Sequence, residues 1–219
     1  MAFFAVGMTP IAGLARGRYV GAVQTQFIMI LRHGEKTADP APHQAVDEHG
    51  NHDEHSLTVK GWQRAGALAL LYAEPALLRR RGLAQPRQLY ACAVSPDHPS
   101  KRCEQTVAPL AMRLGVAPHI GYTKGDEEAL ARAIVMAGVD ALVCWEHKAL
   151  PALAQALAPG KPVPPRWPDA RYDLIWCVRR DLGKAGPRVT FRQVPQNLLG
   201  GDLLTGIDGA QFHAGAGVG

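Results

Sequence analysis

The chain has 219 residues, of which 47% are hydrophobic and 20% charged, with a formal net charge of +5. That length suits one domain with a full-sized core, and the composition is that of an ordinary soluble globular protein, not of a disordered, collagen-like or disulfide-stapled chain. The mild positive balance suits an anionic ligand but gives no case for nucleic acid, because no Lys/Arg block with interleaved aromatics is present; no apolar run reaches transmembrane length either.

Residues 1–24 read as a poorly ordered extension. Ala2–Met8 is apolar but lacks a preceding basic region and a long apolar stretch, so no signal peptide is expected, and Met8 is an alternative start. Gln26–Leu31 is a short apolar run that reads as a buried strand, opening at Gly34 into a loop. Arg32, His33 and Glu35 are therefore delivered to the carboxyl end of a strand, where ligand sites of α/β folds gather. A long polar loop follows from Lys36 to His55, placed to act as a flap over such a site.

Thr58 is an N-cap candidate for a helix with Trp62, Ala65, Ala69 and Tyr72 on one face, running to about Arg80 and ending at Gly82. Leu89–Val94 reads as a second strand. It leads through the turn-rich Ser95–Ser100 to a helix starting at Lys101 or Arg102 and stopping at Gly115. Arg102 thus sits at a strand-to-helix junction, where free backbone N–H groups favour an anion. Ala117–Tyr122 reads as an edge strand, and Asp126, Glu127 and Glu128 as the acidic first turn of the next helix. Ala141–Trp145 is a third buried strand, followed by Glu146-His147 and a helix marked by Leu150, Leu153 and Leu157. After a Pro-rich loop at 159–168, which holds Arg166 and Trp167, Asp173–Arg180 and Arg188–Val194 read as two strands of a hairpin. Residues 200–219 are glycine-rich and read as a flexible tail, leaving 25–199 as a single domain.

The alternation of strands and helices predicts an α/β fold: a three-layer α/β/α sandwich with a mostly parallel central sheet and a C-terminal β-hairpin. Cys92, Cys103, Cys144 and Cys177 are scattered without a CxxC pair, which fits core thiols of a reducing, cytoplasmic compartment. His43, His49, His52 and His55 lie in a stretch so polar that a surface loop is the better reading than a metal site. Three strand ends deliver Arg32-His33, Arg102 and Glu146-His147. If these converge, two guanidinium groups suit the oxygens of a phosphoryl group, one histidine can attack phosphorus, and the other can stabilise developing charge.

These residues resemble the histidine phosphatase superfamily, also called phosphoglycerate mutase-like. Arg32-His33-Gly34-Glu35 is similar to its RHGE/RHGQ signature, Leu57-Thr58 with Gly61 and Ala65 to its helix start, Arg102 with Thr106 to its second arginine motif, and Glu146-His147 to its late histidine. The resemblance spans roughly residues 26–158, with the motifs in the family's order. It implies a small phosphatase-like member needing no metal or cofactor, with His33 as the nucleophile that becomes phosphohistidine. Arg32, Arg102 and His147 would complete the phosphate pocket. A carboxylate acid is implied too, first Glu127, with Glu128, Asp126, Glu35 and Glu146 as further candidates. Two departures stand out: His98 occupies the place of a common serine four residues before Arg102, with Ser100 as a substitute, and no glycine follows His147.

The expected activity is hydrolysis of a phosphomonoester or phosphoprotein. The alternatives are a mutase that returns the phosphoryl group to its substrate, which a bisphosphate primer requirement would reveal, and a degenerate phosphate-binding module, which would not turn over p-nitrophenyl phosphate. The expected partner is a phosphorylated small molecule or protein, with neither nucleic acid nor membrane; no oligomeric state is assigned.

Overall fold

The computed structural model describes residues 24–37, 44–184 and 186–207. The expected N-terminal extension, but for Gln24, lies outside the described residues, as do His43 and the part of the expected tail beyond Ile207. Five strands, β1 (Gln24–Arg32), β2 (Gln88–Ala91), β3 (Ala141–Trp145), β4 (Leu174–Gly183) and β5 (Gly186–Pro195), alternate with helices α1 (Val59–Tyr72), α2 (Pro75–Arg80), α3 (Arg102–Leu114), α4 (Glu127–Ala137) and α5 (Leu150–Leu157).

The strands form one sheet in the order β2-β3-β1-β4-β5. β2, β3 and β1 run parallel, whereas β4 pairs antiparallel with β1 and β5 with β4. Four of the five strands therefore point the same way, as expected of a mostly parallel sheet, and β4 alone runs against them. The reason lies after α5: the chain returns through residues 158–173 and enters the sheet beside β1 in the opposite sense. Every residue of β3 is buried, as are Ile28 to Arg32 of β1, so both faces of the sheet are covered at its centre. α1 rests on α3 and α4 on α5; α3 touches β2 and β3, and α5 touches β1 and β4.

Some local expectations change for identifiable reasons. The helix expected through Arg80 breaks at Ala73-Glu74, because Pro75 cannot continue α1 but suits the first position of α2. Residues 117–122 form no strand: His119 makes a single bridge to Tyr90, its ring stacked on the tyrosine at 4.8 Å. The pairing of β4 with β5 runs from Leu174 opposite Pro195 to Gly183 opposite Gly186, so the connection is much shorter than the seven residues at 181–187 suggest. Gly200–Ile207, expected to fray, is tied down. Asp202 is bonded to Arg64, the Thr205 and Gly206 carbonyls accept from Arg171, and Ile207 is buried with its N–H donating to Gln193. Among the described residues no helix is long and apolar enough to cross a membrane.

Register prepares the site. Arg32 on β1 lies opposite Trp145 on β3, so His33 and Glu146-His147 leave adjacent strands side by side. Ala91 of β2 is level with Cys144 of β3, and the chain from there climbs to Arg102 at the start of α3. The three strand ends expected to converge do converge.

Candidate active site

The loop after β1 is locked before any ligand is considered. Thr58 caps α1, accepting from Gly61 N–H, while its own N–H and hydroxyl donate to the Glu35 carbonyl. Gly34 and Gly61 touch backbone to backbone: a Cβ on Gly34 would sit 2.8 Å from the Gly61 carbonyl oxygen, and one on Gly61 would sit 2.5 Å from that of Glu35. The contact demands both glycines. Thr106 ties in α3, its hydroxyl accepting from Gly34 N–H at 2.8 Å and donating to the Arg102 carbonyl at 2.7 Å. The threonine of the second arginine motif thus links the first turn of α3 to the histidine loop.

His33 is 4% exposed, and its Nδ1 lies 2.7 Å from the Gly34 carbonyl oxygen. A carbonyl can only accept, so the proton is on Nδ1 and the lone pair is on Nε2. Burial, and then the neighbouring Arg32, push the His33 imidazole down to about 3, so the ring is neutral at physiological pH. Between an ordinary value of 6.5 and that of about 3, the folded protein binds fewer protons than the unfolded chain, so acidification through this window favours unfolding. The melting temperature of the natural protein should fall more steeply over that range than that of a His33→Ala variant. Equal slopes would mean that the imidazole is not held neutral.

Around His33 stand Arg32, His147 and Arg102. The His147 ring is 6.4 Å from that of His33 and nearly perpendicular to it. Arg32 is fully buried; its Nη1 donates to main-chain carbonyls of the Pro168–Arg171 segment, chief among them Asp169, and its Nη2 to the Tyr172 hydroxyl at 3.1 Å. The Tyr172 ring lies 3.9 Å over the guanidinium and 6.1 Å from the His33 ring, while Arg32 Nε has no hydrogen-bond partner among the described residues. Arg102 donates from Nε to the Ser56 carbonyl at 3.0 Å, from Nη1 to Ser100 Oγ at 3.3 Å, and from Nη2 to the Glu54 carbonyl. Ser100 thus supports Arg102, as its place in the sequence suggests. Lys36 belongs to the same positive field, pushed down by burial and by Arg102 and Arg32. His98 is lowered by burial, with Lys124 and Arg102 adding to the effect and Glu146 opposing it.

His147 is held between two carboxylates. Nε2 is 2.6 Å from Asp169 Oδ1, and Nδ1 is 2.9 Å from Glu146 Oε1, close enough for attraction but not aligned for a hydrogen bond. Burial would raise the Glu146 carboxyl, but His147, the Lys148 backbone N–H and Lys124 together bring it down to about 2. Glu146 is therefore ionised at neutral pH and is a charge partner, not a proton donor.

The other carboxylates singled out from sequence are also engaged. Glu35 takes Arg64 on both oxygens at 2.8–3.1 Å, inside a buried network that also joins Arg64 to Asp202 at 2.7 Å and to Gln196 at 2.9 Å. Glu127, the first candidate, accepts from Trp145 Nε1 and Gly125 N–H. Asp126 accepts from the Thr123 N–H and hydroxyl, and the exposed Glu128 faces Arg132 at 3.5 Å. Among the described residues, no hydrogen bond or ion pair links Glu127, Glu128 or Asp126 to His33, Arg32, Arg102 or His147. Their spacing in the sequence suited an acid; their bonds brace the entry to α4.

Sequence reading missed Asp169, Tyr172 and the partners of Arg64. Trp167 is what positions the first two: it is buried, lies 4.7 Å from Trp176 and donates to the Arg171 carbonyl, pinning a loop that otherwise has no regular structure. A cavity of about 370 Å³ opens beside the cluster, with Lys36, Asp169 and Tyr172 on its wall toward the histidines and Lys60 and Gly201 farther out.

No family model and no curated protein matches the chain. Among solved structures it is similar to the protein histidine phosphatase SixA complexed with tungstate, with 20% identity and a TM-score of 0.49 over 78% of this chain and 97% of that one. It is also similar to the ecdysone phosphate phosphatase of Bombix mori, likewise in complex with tungstate, with 13% identity and a TM-score of 0.45 over 75% of this chain and 92% of that one. Both of these proteins are phosphatases.

Proposed function

We propose that the protein is a histidine phosphatase that hydrolyses a phosphomonoester or phosphoprotein through phosphohistidine on His33. The observation that carries this reading is the bond from His33 Nδ1 to the Gly34 carbonyl. It places the proton on Nδ1, and burial with Arg32 keeps the ring neutral, so an unprotonated Nε2 stands between two arginines and a second histidine, which is what attack on phosphorus requires.

In this scheme Arg32, Arg102 and His147 hold the equatorial oxygens, and their donors stabilise the charge that builds there. His33 Nε2 forms the N–P bond as the P–O bond to the leaving group breaks. Water then attacks phosphorus, the N–P bond breaks, and inorganic phosphate departs, restoring His33. Arg32 and His147 already donate to carbonyl and carboxylate oxygens of residues 168–171, so phosphoryl oxygens replace those acceptors or share their donors. The burial of Ile28 to Arg32 of β1 and of all of β3, with α1/α3 and α4/α5 as two helix pairs, supports a three-layer sandwich around this site.

The test of the reading is turnover of p-nitrophenyl phosphate without a bisphosphate primer, together with binding of tungstate. Arg102→Ala should weaken tungstate binding by about 2–3 kcal/mol, the worth of a charge-assisted contact in a partly buried site. Isothermal titration would show it, and an unchanged affinity would remove Arg102 from the pocket.

A further inference from the structure

Resting on the phosphatase reading, we infer that Asp169 is the proton donor to the leaving group, and that it then takes the proton of the attacking water. Three observations meet on this residue. Its Oδ1 is 2.6 Å from His147 Nε2, so the carboxylate is at the phosphate pocket itself. Its side chain is 82% exposed while that of His147 is 6% exposed, so it stands at the mouth of the pocket, where a leaving group must pass. It also lines a cavity of about 370 Å³, together with Lys36 and Tyr172, whose wall holds neither histidine but meets His147 through Asp169, and the assignment puts the leaving group there.

The remaining carboxylates near the site are occupied. Glu35 and Asp202 are committed to Arg64, Asp173 to Arg171, and Glu146 to His147, Lys148 N–H and Lys124. Among the described residues Asp169 has a single side-chain bond, to His147, and phosphoryl oxygens compete for that donor. The His147 bond is also what holds the Asp169 carboxyl low. Once phosphoryl oxygens take over the His147 N–H, the exposed carboxylate loses that partner and faces a negatively charged phosphoryl group instead, which favours its protonated form. The proton count then closes. As His33 Nε2 attacks phosphorus and the P–O bond breaks, the Asp169 O–H proton moves to the departing oxygen and leaves a carboxylate. In the second half, water attacks phosphorus, one of its protons returns to Asp169, the N–P bond breaks, and phosphate leaves with His33 neutral again.

Leaving groups of different basicity give the test, because a proton matters for phenol and little for p-nitrophenol. Asp169→Asn should lower kcat/KM for phenyl phosphate by about 100-fold or more, and for p-nitrophenyl phosphate by less than about 10-fold. Asp169→Glu, which keeps an acid at the mouth, should recover much of the phenyl phosphate activity, and Asp169→Asn should accumulate phosphohistidine on His33. Equal losses on both substrates, or no loss, would overturn the assignment. So would faster turnover with tighter tungstate binding, which would make the carboxylate a mere competitor for the phosphate seat. Absence of phosphohistidine in the natural protein would instead overturn the underlying reading, and the assignment with it.

Discussion

His33→Ala is expected to lower turnover of p-nitrophenyl phosphate by about 10⁴-fold or more, because it removes the nucleophile and no neighbouring group is placed to replace it. His147 is the nearest imidazole, but its two nitrogens face Asp169 and Glu146. The same substitution should shift the melting temperature by only a few degrees, because the side chain's one hydrogen bond is to the carbonyl of the next residue, a contact worth about 1 kcal/mol. Steady-state kinetics and thermal melts on the same preparation separate the two effects. Activity within tenfold of the natural protein would refute the nucleophile assignment, and unfolding of the variant would mean that His33 supports the loop far more than its contacts indicate.

The largest effect on stability is expected at Arg64. Its side chain is 2% exposed, and it meets Glu35, 12% exposed, and Asp202, 3% exposed. Arg64→Ala leaves two carboxylates in a poorly solvated place without their cation. Such a break typically costs about 3–5 kcal/mol. The damage would not stay local, since Asp202 also accepts from Leu198 and Leu199 N–H and holds the chain after β5, while Glu35 belongs to the histidine loop. Urea denaturation should show the loss as a lower midpoint with an unchanged slope. Arg64→Lys should recover only part of it, because an ammonium cannot make the paired contacts of the fork. A loss below about 1 kcal/mol would mean that water reaches this network.

Much of the site could be read in the sequence because its parts are set by local rules. Strand ends deliver Arg32-His33 and Glu146-His147, a capping threonine marks α1, and an arginine opens α3. Each of these depends on residues within a few positions, and the parallel register of β1 and β3 then does the rest. The close approach of Gly34 to Gly61 explains why the two motifs each carry a glycine, although sequence alone could not say that the two touch.

What could not be read is contact between distant segments. Asp169 and Tyr172 lie in a stretch with no periodicity, and the burial of Trp167 together with the bonds of Arg32 to this segment sets them beside the histidines. Asp202 lies in a segment whose composition suggests a frayed end, yet Arg64, 138 positions away, fixes it there. Glu127 could not be placed from sequence because an acidic residue at a helix start suits several purposes, and here it accepts from Trp145 Nε1. The antiparallel pairing of β4 with β5 could be read as a hairpin, but the direction of β4 against β1 was hidden, because apolar runs mark strands and carry no sign of their sense beside a distant partner.

The central claim is that His33 carries the phosphoryl group. Incubation with a labelled phosphodonor, an alkaline quench and peptide mapping by mass spectrometry test it directly. The expected result is one acid-labile, base-stable phosphate on His33, absent from His33→Ala. Label on another residue, or none on His33 while the protein turns over substrate, would contradict the account.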